Sequence, residues 1–180
     1  MYEISTQINL NNYVQYILFS QKKSLKFFKI FGSLLLVFAG FSFVMSIVEF
    51  DTFDNFIFDI IITALIIFFG LLLIYLKSFV FKSTSKQFNS NKFLSSQPVM
   101  TFQFNENNYK VLTTSSLGIE DCTYSYEMIS RIVETKNYLF IYIANNTAYI
   151  INKQQDDMQN VENIINFLKQ KFDKRYVIEQ

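Results

Sequence analysis

The chain has 180 residues, a net charge of +1, 22 Phe and 11 Tyr, but no His, one Cys, four Gly and one Pro. The absence of histidine excludes histidine-dependent catalysis, and the lone Cys122 excludes an intramolecular disulfide or a multi-cysteine zinc site. With only Gly32, Gly40, Gly70 and Gly118 available, there is no glycine-rich phosphate loop, GxSxG elbow or Walker-type lysine, so no nucleotide-hydrolysing apparatus and no cofactor is expected.

In chain order, residues 2–10 come first, with Tyr2, Ile4, Thr6 and Ile8 alternating against Glu3, Ser5, Gln7 and Asn9, which predicts a short strand. Asn11 or Asn12 then offers a helix N-cap, with Gln15 as a capping-box partner of Asn12, and a helix is predicted from about residue 12 into the first apolar stretch. Lys22, Lys23, Lys26 and Lys29 lie among Leu25, Phe27 and Phe28, a composition suited to the headgroup zone of a bilayer.

Residues 30–48 form a run of 19 uncharged positions. At 1.5 Å rise per residue they make a helix of about 28 Å, close to the hydrocarbon thickness of a bilayer. A second apolar run occupies 56–76 with Asp59 near its start, and the connecting acids Glu49, Asp51, Asp54 and Asp59 have no basic residue among them. Two buried core helices of a soluble protein are the alternative, against which length argues. The first run starts too far along the chain, and is too long, for a cleaved signal peptide. Within it Ser42 and Ser46 form a small-xxx-small pair suited to close helix approach. Lys77, Lys82, Lys86 and Lys92 follow the second run without an acid. Together with Lys22, Lys23, Lys26 and Lys29 they predict, by the excess of cations at cytoplasmic span ends, that both termini are cytoplasmic and that these eight lysines contact the inner leaflet.

The second helix is expected to continue past the membrane to Ser95 and Ser96, with Pro98 as a domain boundary. Strand-like runs then follow at 99–105, 109–114, 119–126, 131–135, 138–144 and 147–152, an antiparallel meander. Turn chemistry is supplied by 105–108, 115–118, Lys136 with Asn137, and Asn145 with Asn146. Asp156 or Asp157 caps a final helix whose Val161, Ile164, Ile165, Leu168 and Phe172 form one apolar stripe. Cys122 is expected to be a small, half-buried strand residue made a poor nucleophile by the preceding Glu120 and Asp121, which point to opposite faces of the strand.

The expected fold class is therefore an α+β membrane protein: a two-helix transmembrane hairpin with a small antiparallel PH-like or GRAM-like cytoplasmic domain capped by a C-terminal helix. Its parts are an N-terminal strand and basic juxtamembrane helix at 1–29, the hairpin at 30–76, a basic helical extension at 77–97 and the cytoplasmic domain at 98–180, to which residues 2–10 add a strand.

The segment 126–153, YEMISRIVETKNYLFIYIANNTAYIINK, resembles the C-terminal signature of the YcxB-like membrane proteins of bacteria. Ile129, Val133, Glu134, Thr135, Tyr138, Tyr142, Ile150, Ile151 and Lys153 stand at matching places. Tyr126 replaces the family's tryptophan, Asn152 its proline, and Gln154 its usual basic residue. The resemblance implies a membrane protein with a PH-like cytoplasmic part and no established biochemical activity, so no catalytic residue is carried over.

Function is expected to be that of a membrane-tethered binding or regulatory module, not an enzyme, whose partners are the lipid bilayer and a membrane or cytoplasmic protein. The alternative is an accessory or immunity subunit acting through its helices on a transporter, kinase or peptide toxin. Residues 97–180 carry eight basic and ten acidic side chains, so a nucleic-acid partner is not expected. Lys110, Arg131, Lys136 and Lys153 are interspersed with Glu106, Glu120, Asp121, Glu127 and Glu134, which favours a protein over a phospholipid ligand.

Overall fold

The strand predicted at the N-terminus forms as β1 (Tyr2–Gln7), and its alternation survives in burial: Ile4 and Thr6 are buried, as is the following Ile8. The computed structural model describes residues 1–48, 53–144 and 147–179, in two compact units. One comprises 1–17 and 84–180, the other 18–83.

The first unit is built on two four-stranded sheets. β1, β2 (Val99–Phe104), β3 (Asn108–Ser115) and β4 (Gly118–Ser125) form one, in that order. The other contains β5 (Arg131–Glu134), β6 (Tyr138–Ala144), β7 (Thr147–Asn152) and β8 (Tyr176–Ile178), in the order β7-β6-β5-β8. The six predicted later strands are all present, but the meander is interrupted between β4 and β5, where Tyr126–Met128 form a single 3-10 turn. A second departure is β8, which follows the terminal helix and pairs parallel with β5, Ile132 opposite Tyr176. A three-residue strand is too short to register as periodicity. The turns at 105–108, 115–118 and 136–137 are seen, with Gly118 at φ +144, while the turn expected at Asn145 and Asn146 lies outside the described residues.

Helix α6 (Met158–Phe172) starts at Asp157, whose carboxylate accepts from the Gln159 and Asn160 backbone N–H groups. Its stripe Val161, Ile164, Ile165, Leu168 and Phe172 is wholly buried, as periodicity predicts, against Phe102, Phe104 and Tyr109 of one sheet and Ile132, Leu139, Ile141 and Ile151 of the other. That shared core is the reason two small sheets behave as one body.

β1 is stitched to both sheets. It pairs with β2 over six residue positions from Tyr2 opposite Phe104 to Gln7 opposite Val99. The Thr6 hydroxyl donates to Gln155 Oε1 (2.8 Å) and accepts from the Asn152 N–H (3.2 Å). The Asn160 amide donates to the Glu3 carbonyl (2.7 Å).

Helix α1 (Leu10–Ser20) begins two residues earlier than predicted, and its cap is not Asn11 or Asn12. Asn9 Oδ1 accepts the Asn12 backbone N–H (2.9 Å) instead, which frees the Asn12 side chain to turn inward. There, 1% exposed, it donates to the Gln7 carbonyl (2.8 Å) and accepts from the Tyr138 hydroxyl (3.3 Å) and the Asn152 amide (3.2 Å).

The second unit is a helical hairpin of α2 (Lys22–Val48) and α3 (Phe53–Ile74), after which α4 (Leu76–Ser90) leads into the first unit and on to α5 (Lys92–Ser95). The predicted continuous helices are divided at Gln21, at Tyr75 and at Asn91, the last of which caps α5 through its side-chain oxygen. Acids Glu49 and Asp51 lie outside the described residues, and Asp59 is exposed.

Ser42 and Ser46 lie half-buried on the contact face of α2, but Ser46 donates to the Ser42 carbonyl of its own helix (3.0 Å) and the pair is not where the helices meet most closely. Closest approach belongs to Gly32 and Gly70: a Cβ on Gly32 would stand 2.7 Å from the Gly70 carbonyl oxygen, and one on Gly70 would stand 2.9 Å from Leu36 Cδ2. Only glycine permits this contact. Seven residues further along each antiparallel helix, Ala39 and Thr63 are buried at 0% and 4% exposure, so one small-residue seam runs through the pair.

Two outcomes follow from these contacts. Asn12→Leu leaves the Gln7 carbonyl and its other partners unpaired in the interior, at an expected cost of about 2 kcal/mol, read as a lowered urea midpoint of the full chain in micelles. Gly32→Leu should push α2 from α3, so that cysteines introduced at Ala39 and Thr63 in a Cys122→Ser background, which should form a disulfide under mild oxidation, no longer do so.

Candidate functional site

The period of two along a strand places Glu134 on the same face as the core residue Ile132, and Lys153 on the same face as Ile151, but at the rim where the core ends. α6 passes over that rim and contributes Lys169, one turn beyond Ile165. β8 contributes Tyr176. All four side chains meet at the Glu134 carboxylate.

Lys153 Nζ donates to Oε1 at 2.9 Å, while Lys169 Nζ at 3.0 Å and the Tyr176 hydroxyl at 2.9 Å donate to Oε2. The carboxylate is 13% exposed and Lys153 is 16% exposed, so the pair sits largely out of water, whereas Lys169 is more open. A backbone bond from Glu179 N–H to the Glu134 carbonyl (2.8 Å) fastens the same strand to the end of the chain.

Burial by itself would raise the Glu134 pKa, but the hydrogen bonds from Lys153, Lys169 and Tyr176 outweigh it and hold the carboxyl below its ordinary value. The Tyr176 phenol is pushed well above its usual range, first by burial and then by donating to Glu134. Glu134 is thus an ionised, fully satisfied acceptor and a weak base, and Tyr176 a phenol that keeps its proton. Such a node positions structure and shapes a surface.

The surface it shapes is an open cavity of about 680 Å³, lined by Glu134, Lys136, Lys153, Val161, Ile165 and Lys169 among others. A smaller cavity of about 370 Å³ on the β8 side shares Glu134, Lys136 and Lys153 as a wall. Lys136 enters from the turn between β5 and β6, a turn closed by the Thr135 N–H bonding the Tyr138 carbonyl (2.8 Å) and by the Tyr138 N–H bonding Thr135 Oγ1 (3.0 Å). The Lys153 N–H donates to the Asn137 carbonyl (2.9 Å) and holds that turn against the end of β7.

Of the cations scattered in sequence, then, Lys136 and Lys153 are brought together with Lys169. Lys110 pairs with Asp121 across β3 and β4 (2.7 Å), and Arg131 lies over the Tyr142 ring at 4.2 Å, away from this cavity. The eight flanking lysines are all exposed: Lys22, Lys23, Lys26, Lys29, Lys77 and Lys82 belong to the helical unit, while Lys86 and Lys92 belong to the sheet unit. Within the helical unit, Lys22–Lys29 and Lys77 lie at the end of the hairpin nearest the Gly32–Gly70 contact, and the acidic Asp59 lies toward the other end. Cys122, expected to be half-buried, is exposed, as is every other position of β4 except the partly buried Tyr124.

Residues 104–168 match the family model for YcxB-like protein. This segment is similar to the YcxB-like family. No curated protein and no solved structure matches the chain. The YcxB-like segment runs from the end of β2 to Leu168 and so contains Glu134, Lys136 and Lys153, but stops one residue short of Lys169 and leaves out Tyr176. The positions quoted from the YcxB-like signature are thus structural neighbours. Ile129, Val133, Tyr142, Ile150 and Ile151 are buried, Thr135 and Tyr138 close the turn, and Glu134 and Lys153 form the ion pair. Tyr126, at the place of the family's tryptophan, is 6% exposed, donates to the Asn105 carbonyl (2.7 Å) and carries Lys171 Nζ over its ring at 4.4 Å.

Lys169 and Tyr176 were not legible as site residues. Lys169 sits beside the apolar stripe of α6 and reads as a solvated flank, and Tyr176 lies in a segment without periodicity. Glu134→Gln exchanges the ion pair for a neutral amide beside Lys153 and should cost about 2 kcal/mol at neutral pH. Because the folded-state pKa is lowered, its stabilisation is present above the unfolded carboxyl value and is lost as pH falls through the folded one. Urea midpoints of the wild type should therefore drop toward those of Glu134→Gln in acid, and a constant gap between the two at every pH would refute this role.

Proposed function

We propose that the chain is an integral membrane protein in which α2 and α3 cross a bilayer as a hairpin, both termini face the cytoplasm, and the sheet unit is a PH-like or GRAM-like module held at the inner leaflet to bind or regulate a protein partner, without chemistry of its own. The observation that carries this reading is the failure of α2 and α3 to bury themselves. Their most apolar stretches are only 17% and 11% buried, and Phe38, Phe41, Phe58, Phe68 and Phe69 are among the large side chains left exposed. In water, apolar surface of that extent is not stable, whereas in lipid it is the required exterior.

The pairing of β1 with β2 supports an even number of crossings, since β1 precedes the hairpin and β2 follows it, and the two are hydrogen-bonded neighbours within one unit. The exposed lysines of the two flanks support the cytoplasmic side for that unit. Strands β1–β4 in one sheet and β5–β7 in the next, followed by a helix laid into the core, support the PH-like reading. The Glu134 node supports a binding role over acid–base work, because an ionised carboxylate with three donors has little proton affinity to spend.

The exposed, single Cys122 reports sidedness without further engineering. Membrane-impermeant maleimide should leave intact cells unlabelled at this position and label it after permeabilisation, and the chain should stay with membranes through alkaline carbonate washing. Labelling in intact cells, or release by carbonate, overturns the topology.

A further inference from the structure

β4 is the outer strand of its sheet and, among the described residues, ladders with β3 alone, so along eight residues alternate backbone N–H and C=O groups face away from the sheet. Of the other edges, β7 has six residues and is tied to β1 at its end, where the Asn152 N–H donates to Thr6 Oγ1. β1 is bonded on its far side through Thr6, Gln7 and Glu3 to Gln155, Asn152 and Asn160, and β8 has only three residues. Edges are commonly guarded by lysine, proline or a bulge, but β4 has none of the first two, and its register with β3 runs unbroken from Ser125 to Gly118.

Its charge is of one sign. Between Lys110 and Arg131 there is no basic residue, while Glu120, Asp121 and Glu127 are present, and among the described residues only Asp121 is ion-paired, with Lys110. Antiparallel pairing of β4 with β4 of a second copy over the full strand would set Glu120 and Asp121 diagonally beside the copy's Asp121 and Glu120, which disfavours self-association at this edge. An extended basic strand meets no such penalty. At the start of β4 a groove of about 290 Å³, lined by Phe93, Thr113, Leu117, Ile119 and Glu120, offers a place for an aliphatic side chain, and Leu117 and Ile119 are 63% and 70% exposed.

We propose that β4 is a docking edge that takes an extended, basic segment of another polypeptide, lysine or arginine alternating with aliphatic residues, as a fifth strand beside β1–β4. This deepens the tethered-module reading by giving the partner a chemical class. Main-chain bonds supply adhesion, and Glu120 with the Leu117 and Ile119 side chains of the groove supplies selectivity.

The test uses the full chain in phosphatidylcholine nanodiscs, whose lack of net charge keeps a basic peptide off the lipid. A fluorescent peptide of about eight residues alternating lysine and valine is titrated by anisotropy, beside the same peptide with glutamate for lysine and one N-methylated at alternate backbone nitrogens. The lysine peptide should bind at least about tenfold more tightly than either comparator, and Glu120→Lys should weaken it about fivefold or more while Glu162→Lys, on α6, leaves it unchanged. Equal binding of the N-methylated peptide, or indifference to Glu120→Lys, overturns the strand-addition proposal. Rapid formation of a Cys122–Cys122 dimer under mild oxidation overturns it too, because the edge would then be occupied by a second copy. If the chain does not enter nanodiscs, the membrane reading is what fails, and the same titration on the full chain in solution still decides the docking edge.

Discussion

The structure depends on a strand pairing that closes across the helical hairpin. β1 is made before the chain enters α2 and β2 is made only after it has left α4, yet the two run side by side from Tyr2 opposite Phe104 to Gln7 opposite Val99. A long closure of this kind costs conformational entropy that local contacts cannot return, so the pairing must be held by what lies on both sides of it. On one side Phe102 and Phe104 enter the common core. On the other, Thr6, Gln7 and Glu3 are tied to the loop and helix that follow β7. Asn12 finishes the closure from within, since its amide serves the Gln7 carbonyl and its oxygen serves Tyr138 and Asn152. Sheet unit and hairpin are therefore a single folding problem: the sheet is incomplete until the residues on either side of the hairpin come back together.

The same core explains why the charged node stands where it does. Two strands and a helix end their apolar positions at one rim, and the next position on each shared face is Glu134, Lys153 or Lys169. Burial alone would disfavour a carboxylate there. Three donors reverse that balance, which makes the node a clamp on β5, β7, α6 and β8 and leaves the neighbouring cavity with a fixed wall. A carboxylate held in this way resists protonation, so the physical content of the site is shape and charge placement.

The two units present different kinds of exposed surface. Beyond Lys29 on α2 and Asp59 on α3 it is largely apolar on every side except the seam at Gly32, Ala39, Thr63 and Gly70, which is the distribution that the proposed crossing of a bilayer requires. On the sheet unit the notable surface is the acidic, unguarded edge of β4, where backbone groups as well as side chains are open to a partner.

Local periodicity determined a good deal by itself. The uncharged run at 30–48, the alternation of Ile4, Thr6 and Ile8, the stripe from Val161 to Phe172 and a cap at Asp156 or Asp157, of which the structure uses Asp157, each depend on neighbours within a few residues, and each was legible before any tertiary contact was known. Only the tertiary structure decided that six strands divide into two sheets, that Tyr176–Ile178 adds a parallel strand, that Asn12 faces inward and Asn9 caps, that Gly32 meets Gly70 in place of Ser42 with Ser46, and that Lys169 and Tyr176 complete the Glu134 site. The reason is physical: a repeat of two or 3.6 says which face of an element avoids water, whereas the identity of what covers that face is set by loop closure and by the packing of layers that meet only in three dimensions.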